Sequence, residues 1–440
     1  MRSVAFHTLG CKVNQYDTQA MREALTEDYR IVSSEEGADI YIINTCTVTN
    51  RADQKSRQQI RNIIRKNPEA LVAVIGCYAQ RFPQKIAEIQ GVDLILGNGE
   101  KIGITSFLNG GEKNSRSEIF VKNIDSYSRY DTLSVSKHHS HTRAFVKIQD
   151  GCQNYCSYCI IPYVRGKERS RPLENILEEI GGLVRNGFKE IVFTGIRLGS
   201  WGQDLNGRTL NHTVQGEVAL AILLERVSGI EGLKRIRLSS IEPRDLNEEL
   251  IDRIAQLPKV CPHLHIPLQS GDNKILKAMN RPYDTFYYRD LIEKIREKMK
   301  GVAITTDIMV GFPGEEKEEF ENTYDFAKKM KFSKMHVFKY SPRPGTSAAQ
   351  LKRRVGEQEI KKRSERLLGL SLKMQEEFSR LFLGKTLEIL VEKRRRNNYL
   401  AGLTDNYIKV AFNGPENLVN KIVRVKIGEI KKGYVIGRLA

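Results

Sequence analysis

No apolar run in this 440-residue sequence is long enough to cross a bilayer. No apolar segment with a small-residue cleavage site stands ahead of the first strand-like run, which starts within Met1-Arg2-Ser3-Val4-Ala5-Phe6. The expectation is a cytoplasmic protein with no membrane partner. Acidic residues are also in short supply: 53 Asp and Glu face 71 Lys and Arg, a formal net charge of +18. That excess points to a polyanionic partner, nucleic acid first, because each phosphate neutralised releases counterions. A solvated basic surface is the bland alternative. Cysteines number only seven, and in a reducing compartment clustered cysteines read as metal sites rather than disulfides. The length suffices for two or three domains with cores of their own.

A fourth ligand is what the most informative motif lacks. Cys152, Cys156 and Cys159 form a CxxxCxxC run in Asp-Gly-Cys-Gln-Asn-Tyr-Cys-Ser-Tyr-Cys-Ile. Complete thiolate ligation of a four-iron cluster takes four cysteines, so three leave one iron open to a substrate or cofactor. Structural zinc would need a closed tetrahedral set; only His138, His139 and His141, upstream in a polar stretch, are available for it. Ordinary buried thiols are the third reading, against which the polar Gln153, Asn154 and Ser157 argue.

Cys11, Cys46 and Cys77 are far apart in sequence, yet each follows an apolar strand-like run: residues 4–10, 39–45 and 71–76. Helix-like segments at about 14–28 and 52–67 lie between them, the alternation of parallel βαβ units. Loops that follow parallel strands share one sheet edge, where ligands bind, so the three thiols should converge there. Three independent buried thiols are the alternative. The remaining Cys261, before Pro262, reads as a structural thiol.

With Tyr158 just before its last cysteine, the triplet resembles the cluster loop of radical S-adenosylmethionine (SAM) enzymes. The chain as a whole resembles the methylthiotransferase family. The match runs through Thr8-Leu9-Gly10-Cys11-Lys12-Val13-Asn14, Asn44-Thr45-Cys46-Thr47-Val48-Thr49, Gly76-Cys77-Tyr78-Ala79-Gln80, Thr194-Gly195-Ile196-Arg197-Leu198-Gly199, Ser239-Ser240-Ile241-Glu242-Pro243, His265-Ile266-Pro267-Leu268-Gln269-Ser270-Gly271 and Gly311-Phe312-Pro313-Gly314-Glu315. These segments look most like the branch that modifies threonylcarbamoyladenosine beside the tRNA anticodon. The resemblance implies two [4Fe-4S] clusters, one on Cys152, Cys156 and Cys159 and an auxiliary one on Cys11, Cys46 and Cys77. SAM would serve as both radical source and methyl donor, with Tyr158, Thr194, Gly195, Glu242 and Gln269 as candidate contacts. Gly311-Phe312-Pro313-Gly314 reads as a βα turn, and the resemblance puts it near the cofactor.

The expected fold class is α/β. An N-terminal open parallel α/β domain spans 1–110 and a polar connector 111–143, with room for one strand. From 144 to 375, six strand-like runs separated by helical stretches make a partial (β/α)6 barrel, short of the full eight. After a basic helix-like stretch around 355–380, residues 376–440 alternate as a small antiparallel β-barrel does and resemble the TRAM domain, an RNA-binding module. There Lys393, Arg394, Arg395, Arg396 and Tyr399 set cations beside an aromatic, as phosphate contact and base stacking require; a solvated charge run is the alternative. The expected function is methylthiolation of C2 of N6-threonylcarbamoyladenosine at position 37. Its expected partners are the tRNA anticodon stem-loop, an electron donor such as a flavodoxin or ferredoxin, and a sulfur source. The alternatives are a methylthiotransferase for isopentenyladenosine tRNA or a ribosomal-protein side chain, and a non-catalytic iron–sulfur or zinc RNA-binding protein.

Overall fold

The computed structural model describes residues 1–111, 113, 116–130, 134–136, 142–205, 218–394 and 399–440, with Lys393 and Arg394 described by backbone alone. The histidines considered for zinc, His138, His139 and His141, lie outside the described residues, as do Arg395 and Arg396.

Runs with no polar face, such as Ile40–Thr45 and Leu71–Gly76, are buried along their whole length. Strands of that kind need cover on both sides. They form the centre of a six-stranded sheet built from β1 (Ser3–Thr8), β2 (Arg30–Val32), β3 (Ile40–Thr45), β4 (Leu71–Gly76), β5 (Leu94–Leu96) and β6 (Glu118–Phe120), in the order β2-β1-β3-β4-β5-β6. All its pairings are parallel. Alternate side chains feed two separate cores. Tyr41, Ile43, Val72 and Val74 pack on one face, and Ile40, Ile42, Leu71, Ala73 and Ile75 on the other. The stretch expected as a connector supplies the edge strand β6.

The second unit begins with β7 (Ala144–Lys147). The short β8 (Gln149–Asp150) pairs antiparallel with β9 (Arg169–Ser170), closing the loop that carries the cysteine triplet. The wall continues through β10 (Glu190–Thr194), β11 (Arg235–Leu238), β12 (His263–His265), β13 (Ala303–Val310) and β14 (Lys334–Lys339). Two parallel three-stranded sheets, β11-β10-β7 and β12-β13-β14, meet at the parallel bridges Ile236–Val260 and Ser240–His265. The result is a six-stranded parallel half-barrel over one apolar core. Helix Glu357–Arg380 joins two cores: Leu367, Leu370 and Met374 enter the half-barrel's core, and Phe378 abuts that of the last domain. That domain is a closed barrel of β15 (Thr386–Arg394), β16 (Tyr399–Thr404), β17 (Lys409–Asn413), β18 (Ile422–Lys431) and β19 (Tyr434–Leu439), ordered β15-β16-β17-β19-β18. The expected fold class is borne out in all three parts.

Buried charges lock the first domain onto the second. Asp17, on helix Lys12–Ala24, accepts from Lys101 at 2.8 Å, Lys147 at 2.9 Å and Arg165 at 3.2 Å. Asp150, at the head of the triplet loop, accepts from Lys147 at 2.7 Å and Arg165 at 2.9 Å. Every member is buried. Burial alone would raise the two carboxyls, but Lys101, Lys147 and Arg165 hold Asp17, and Arg165 and Lys147 hold Asp150, far below the ordinary carboxylate range. Arg343 makes a second lock, donating to Asp53 and Thr47 at 2.7 Å just beyond Cys46.

Removing one partner from a buried ion network strands the others. Asp17→Asn is therefore expected to cost about 3–5 kcal/mol, read by chemical denaturation of the first domain; an unchanged midpoint would contradict the network's role. Because both carboxyls have depressed values when folded, the network contributes fully above their unfolded value of about 3.9 and is lost as pH falls below it.

Candidate active site

The first three cysteines occupy the same topological position three times. Cys11 follows β1 as the N-cap of helix Lys12–Ala24, Cys46 directly follows β3, and Cys77 follows β4 as the first residue of helix Cys77–Arg81. Their convergence needs close backbone approach. Gly10 has φ +109, and a Cβ there would lie 2.8 Å from Cys46 Cβ. Burial, then the Cys77 and Cys11 charges, push the Cys46 thiol up to about 12 even against the Val48 N–H that bonds it. Asn98 donates to Cys77 Sγ at 3.6 Å and to Val164 O at 2.7 Å.

The second triplet sits in the loop between β8 and β9. Gly151, with φ +81, has no room for a side chain: a Cβ would lie 1.9 Å from Lys167 O. Tyr155 takes φ +45, turning the chain between Cys152 and Cys156. Burial pushes Cys152 and Cys159 up to about 12. Beside them Arg281 donates to Cys156 Sγ at 3.2 Å and pairs with Glu242. The first triplet reaches the segment after the second: Cys77 packs in one apolar cluster with Ile160, the residue after Cys159, and with Val164.

The expected SAM contacts divide into two groups. Glu242 and Tyr158 lie at the triplet: Cys156, Cys159 and Glu242 all act on the Tyr158 hydroxyl, although burial is the larger influence. Gln269 stands at the same barrel rim with φ +68, its N–H donating to Asp307 O at 2.8 Å. Thr194 ends β10 and is buried, its carbonyl accepting from Ile148 N–H. Gly195 is pressed on Gln149, whose Cβ a side chain there would meet at 3.1 Å; close packing of the loop accounts for this glycine. Tyr399, at the start of β16, pairs with Asn413 across the last barrel, and the structure does not bring it to either triplet. Lys393 and Arg394 lie in β15. Cys261 is buried between Arg237 and Glu190, at the far end of the barrel.

Sequence reasoning missed Arg281, Asn98 and the Asp17–Asp150 network. Arg281 lies 125 residues from Cys156, and nothing local marks an arginine as a donor to a distant sulfur. The donor chemistry of both triplets suits an iron–sulfur cluster: soft sulfur ligands, N–H groups aimed at sulfur, and no disulfide among them.

A parallel half-barrel that presents a three-cysteine loop just beyond its first strand defines a radical SAM enzyme. Residues 146–327 match the radical SAM superfamily, residues 380–440 the TRAM domain and residues 3–97 the group described as "Uncharacterized protein family UPF0004". Over 99% of its length the chain is 42% identical to the threonylcarbamoyladenosine tRNA methylthiotransferase MtaB of Bacillus subtilis, covering 95% of that protein. It is 39% identical to the Aquifex aeolicus MtaB, over 96% of this chain and 100% of that one. It is 36% identical to a tRNA-2-methylthio-N(6)-dimethylallyladenosine synthase of Thermotoga petrophila, over 98% and 96%. The radical SAM methyltransferase TsrM of Kitasatospora setae shares the fold, with a TM-score of 0.58 at 16% identity over 79% of this chain and 77% of that one. The chain belongs to the radical SAM tRNA methylthiotransferase family.

Gly151 offers a direct check on the loop. Gly151→Ala puts a Cβ into Lys167 O and a left-handed conformation on a residue that resists it, so it should destabilise by more than about 1–2 kcal/mol. Chemical denaturation of the metal-free chain measures this; wild-type stability would contradict the geometry.

Proposed function

We propose that this chain methylthiolates C2 of N6-threonylcarbamoyladenosine at position 37, next to the tRNA anticodon. The observation that supports the reading is the packing of Cys77 against Ile160 and Val164, which follow Cys159; clusters held on the two sets of cysteines would bring a radical source near a sulfur-bearing group. The full-length likeness to threonylcarbamoyladenosine tRNA methylthiotransferases supports the branch.

The bond sets the requirement. An aromatic C–H such as adenine C2–H is too strong and too weakly acidic for a general base, so its replacement by sulfur calls for a radical. When bound, the cluster and SAM together supply a carbon-centred radical able to take that hydrogen, and the auxiliary cluster supplies sulfur. The chain's own work is holding and orienting. Cys152, Cys156 and Cys159 would hold the first cluster, and Cys11, Cys46 and Cys77 the second. Arg281 keeps Glu242 anchored and donates to Cys156 Sγ, an outer-shell contact of the kind that tunes a bound metal centre. The Arg343 lock fixes the segment after Cys46. Balance also requires an electron donor of the flavodoxin or ferredoxin type and a source of sulfur, in the cytoplasm where tRNA is modified. No helix among the described residues is long and apolar enough to cross a membrane.

The tRNA backbone has a track to follow. Helix Asn50–Lys66 turns Lys55, Arg61 and Arg65 outward along a groove that runs to Leu9, two residues before Cys11. With the last barrel holding the stem, this groove would lead the anticodon loop to the triplets.

Two measurements test the reading. In the anaerobically reconstituted protein, Cys152→Ala should abolish 5′-deoxyadenosine formation from SAM, whereas Cys11→Ala should keep it and lose methylthio transfer to threonylcarbamoyl-modified tRNA, scored by nucleoside mass spectrometry. Transfer surviving in Cys11→Ala would overturn the division of labour. Lys55→Ala with Arg61→Ala should flatten the salt dependence of tRNA binding by about 0.7–0.9 in log–log slope for each charge removed; an unchanged slope would move the track elsewhere.

A further inference from the structure

Three side chains on neighbouring strands of the half-barrel close on one point, and the proposed reaction uses none of them. Backbone pairing places them. Asp307 on β13 is the direct partner of His336 on β14, and Thr305, two residues before Asp307, is the partner of His265 on β12. Ile304, Ile308 and Val310 of β13 enter the apolar core, so alternation turns Thr305, Asp307 and Met309 to the inner face of the half-barrel.

His265 Nε2 stands 3.2 Å from Asp307 Oδ1, and His336 Nδ1 stands 3.3 Å from the same oxygen. Charge-assisted N–H···O bonds are shorter, about 2.7–2.9 Å, and the buried Oδ1 has no well-directed hydrogen bond among the described residues. The spacing is instead that of ligands around an ion. Two donors each about 2.0–2.2 Å from a common metal, at octahedral or tetrahedral angles, stand about 2.8–3.6 Å apart. One donor atom from each of the three side chains lies within 4.8 Å of the other two. The imidazoles are also held in place. The rings of His265 and His336 stack, with centroids 5.4 Å apart and planes 28° from parallel. The far nitrogen of His265, Nδ1, lies 2.9 Å from the Thr305 hydroxyl, the outer contact that fixes ring orientation at metal-binding histidines.

We propose that His265, Asp307 and His336 bind a single divalent metal ion of the zinc class. Imidazole in its neutral form is the commonest metal ligand. Two histidines and one carboxylate make a three-ligand set that leaves a coordination position open to water or to an oxygen of a substrate. The position is reachable, since the side chains of His265, Asp307 and His336 are 13%, 23% and 45% exposed. It is also near the radical site. Met309, next on the same face of β13, packs on the same small apolar cluster as Tyr158, the residue before Cys159, and two residues along a strand is about 7 Å. The competing reading, an imidazolium–carboxylate pair with no metal, would draw an N–H onto Oδ1 at hydrogen-bonding distance, which is not the arrangement seen. The proposal does not depend on which base the enzyme modifies.

Zinc binding to the reconstituted holoprotein tests it, with zinc, iron and sulfide counted on one sample after equilibrium dialysis against micromolar zinc. At such a donor set zinc outcompetes ferrous iron left from reconstitution. Wild type should hold about one zinc per chain beyond its full iron and sulfide. His336→Gln, at the most exposed of the three positions, should weaken zinc binding about a hundredfold or more, and Thr305→Val, which removes only the orienting hydroxyl, about 10–100-fold; both should keep the iron content of wild type. X-ray absorption at the zinc edge reads the ligands in wild type without any substitution, and should show nitrogen and oxygen with two imidazoles among them. Sulfur around the zinc, or equal zinc affinity in wild type and His336→Gln, would put the ion elsewhere and overturn the site. So would the absence of bound zinc at micromolar concentration, which would leave the three side chains as an ion pair only.

Discussion

The buried charges around Asp17 and Asp150 are what the rest of the molecule depends on. One carboxylate belongs to the helix that begins beside Cys11 and the other to the strand that leads into Cys152, and Lys147 and Arg165 bridge them. Desolvating so many charges is expensive and is offset only when each finds several partners in good geometry. Apolar packing could have joined the domains with less electrostatic risk, but it slides; a multidentate network sets both distance and angle. For chemistry that must present two sulfur-ligated centres to one carbon atom, that precision is the gain.

The same logic runs through the contacts among the three domains. Radical chemistry needs water kept out and the target base held still. The half-barrel alone is open along one side. The first domain docks on it through Asp17 of helix Lys12–Ala24, and the last barrel through the carbonyls of Leu403, Thr404 and Asp405, which accept from Arg235 and Arg237. The last barrel is thus fixed to the half-barrel by Arg235 and Arg237. The +18 net charge includes outward cations along helix Asn50–Lys66 and buried, paired ones such as Arg165, Arg171, Arg237 and Arg343.

Much of this was legible in the sequence, for identifiable reasons. Cys11, Cys46 and Cys77 could be brought together on paper because each ends an apolar run, and parallel strands deliver their ends to one edge. The six strand-like runs from 144 onward stand out because each carries apolar residues at strand spacing between helical stretches, as in Arg235–Leu238 and His263–His265. Partners separated by more than a hundred residues were not legible. Arg165 reaches Asp17 across 148 positions and Arg281 reaches Cys156 across 125, and an arginine carries no local sign of which distant group it meets. The connector was read with room for one strand, but a three-residue edge strand such as Glu118–Phe120 has too little periodicity to be located in it.

The central claim is that two sulfur-ligated clusters sit face to face across one chamber. EPR of the reconstituted, fully reduced protein tests it most directly, with iron and sulfide counted on the same sample. The account predicts iron for two clusters per chain and a spectrum broadened by magnetic interaction between them, simplifying to a single isolated signal in Cys11→Ala or Cys152→Ala. Iron for one cluster only, or two signals that relax independently, would contradict it.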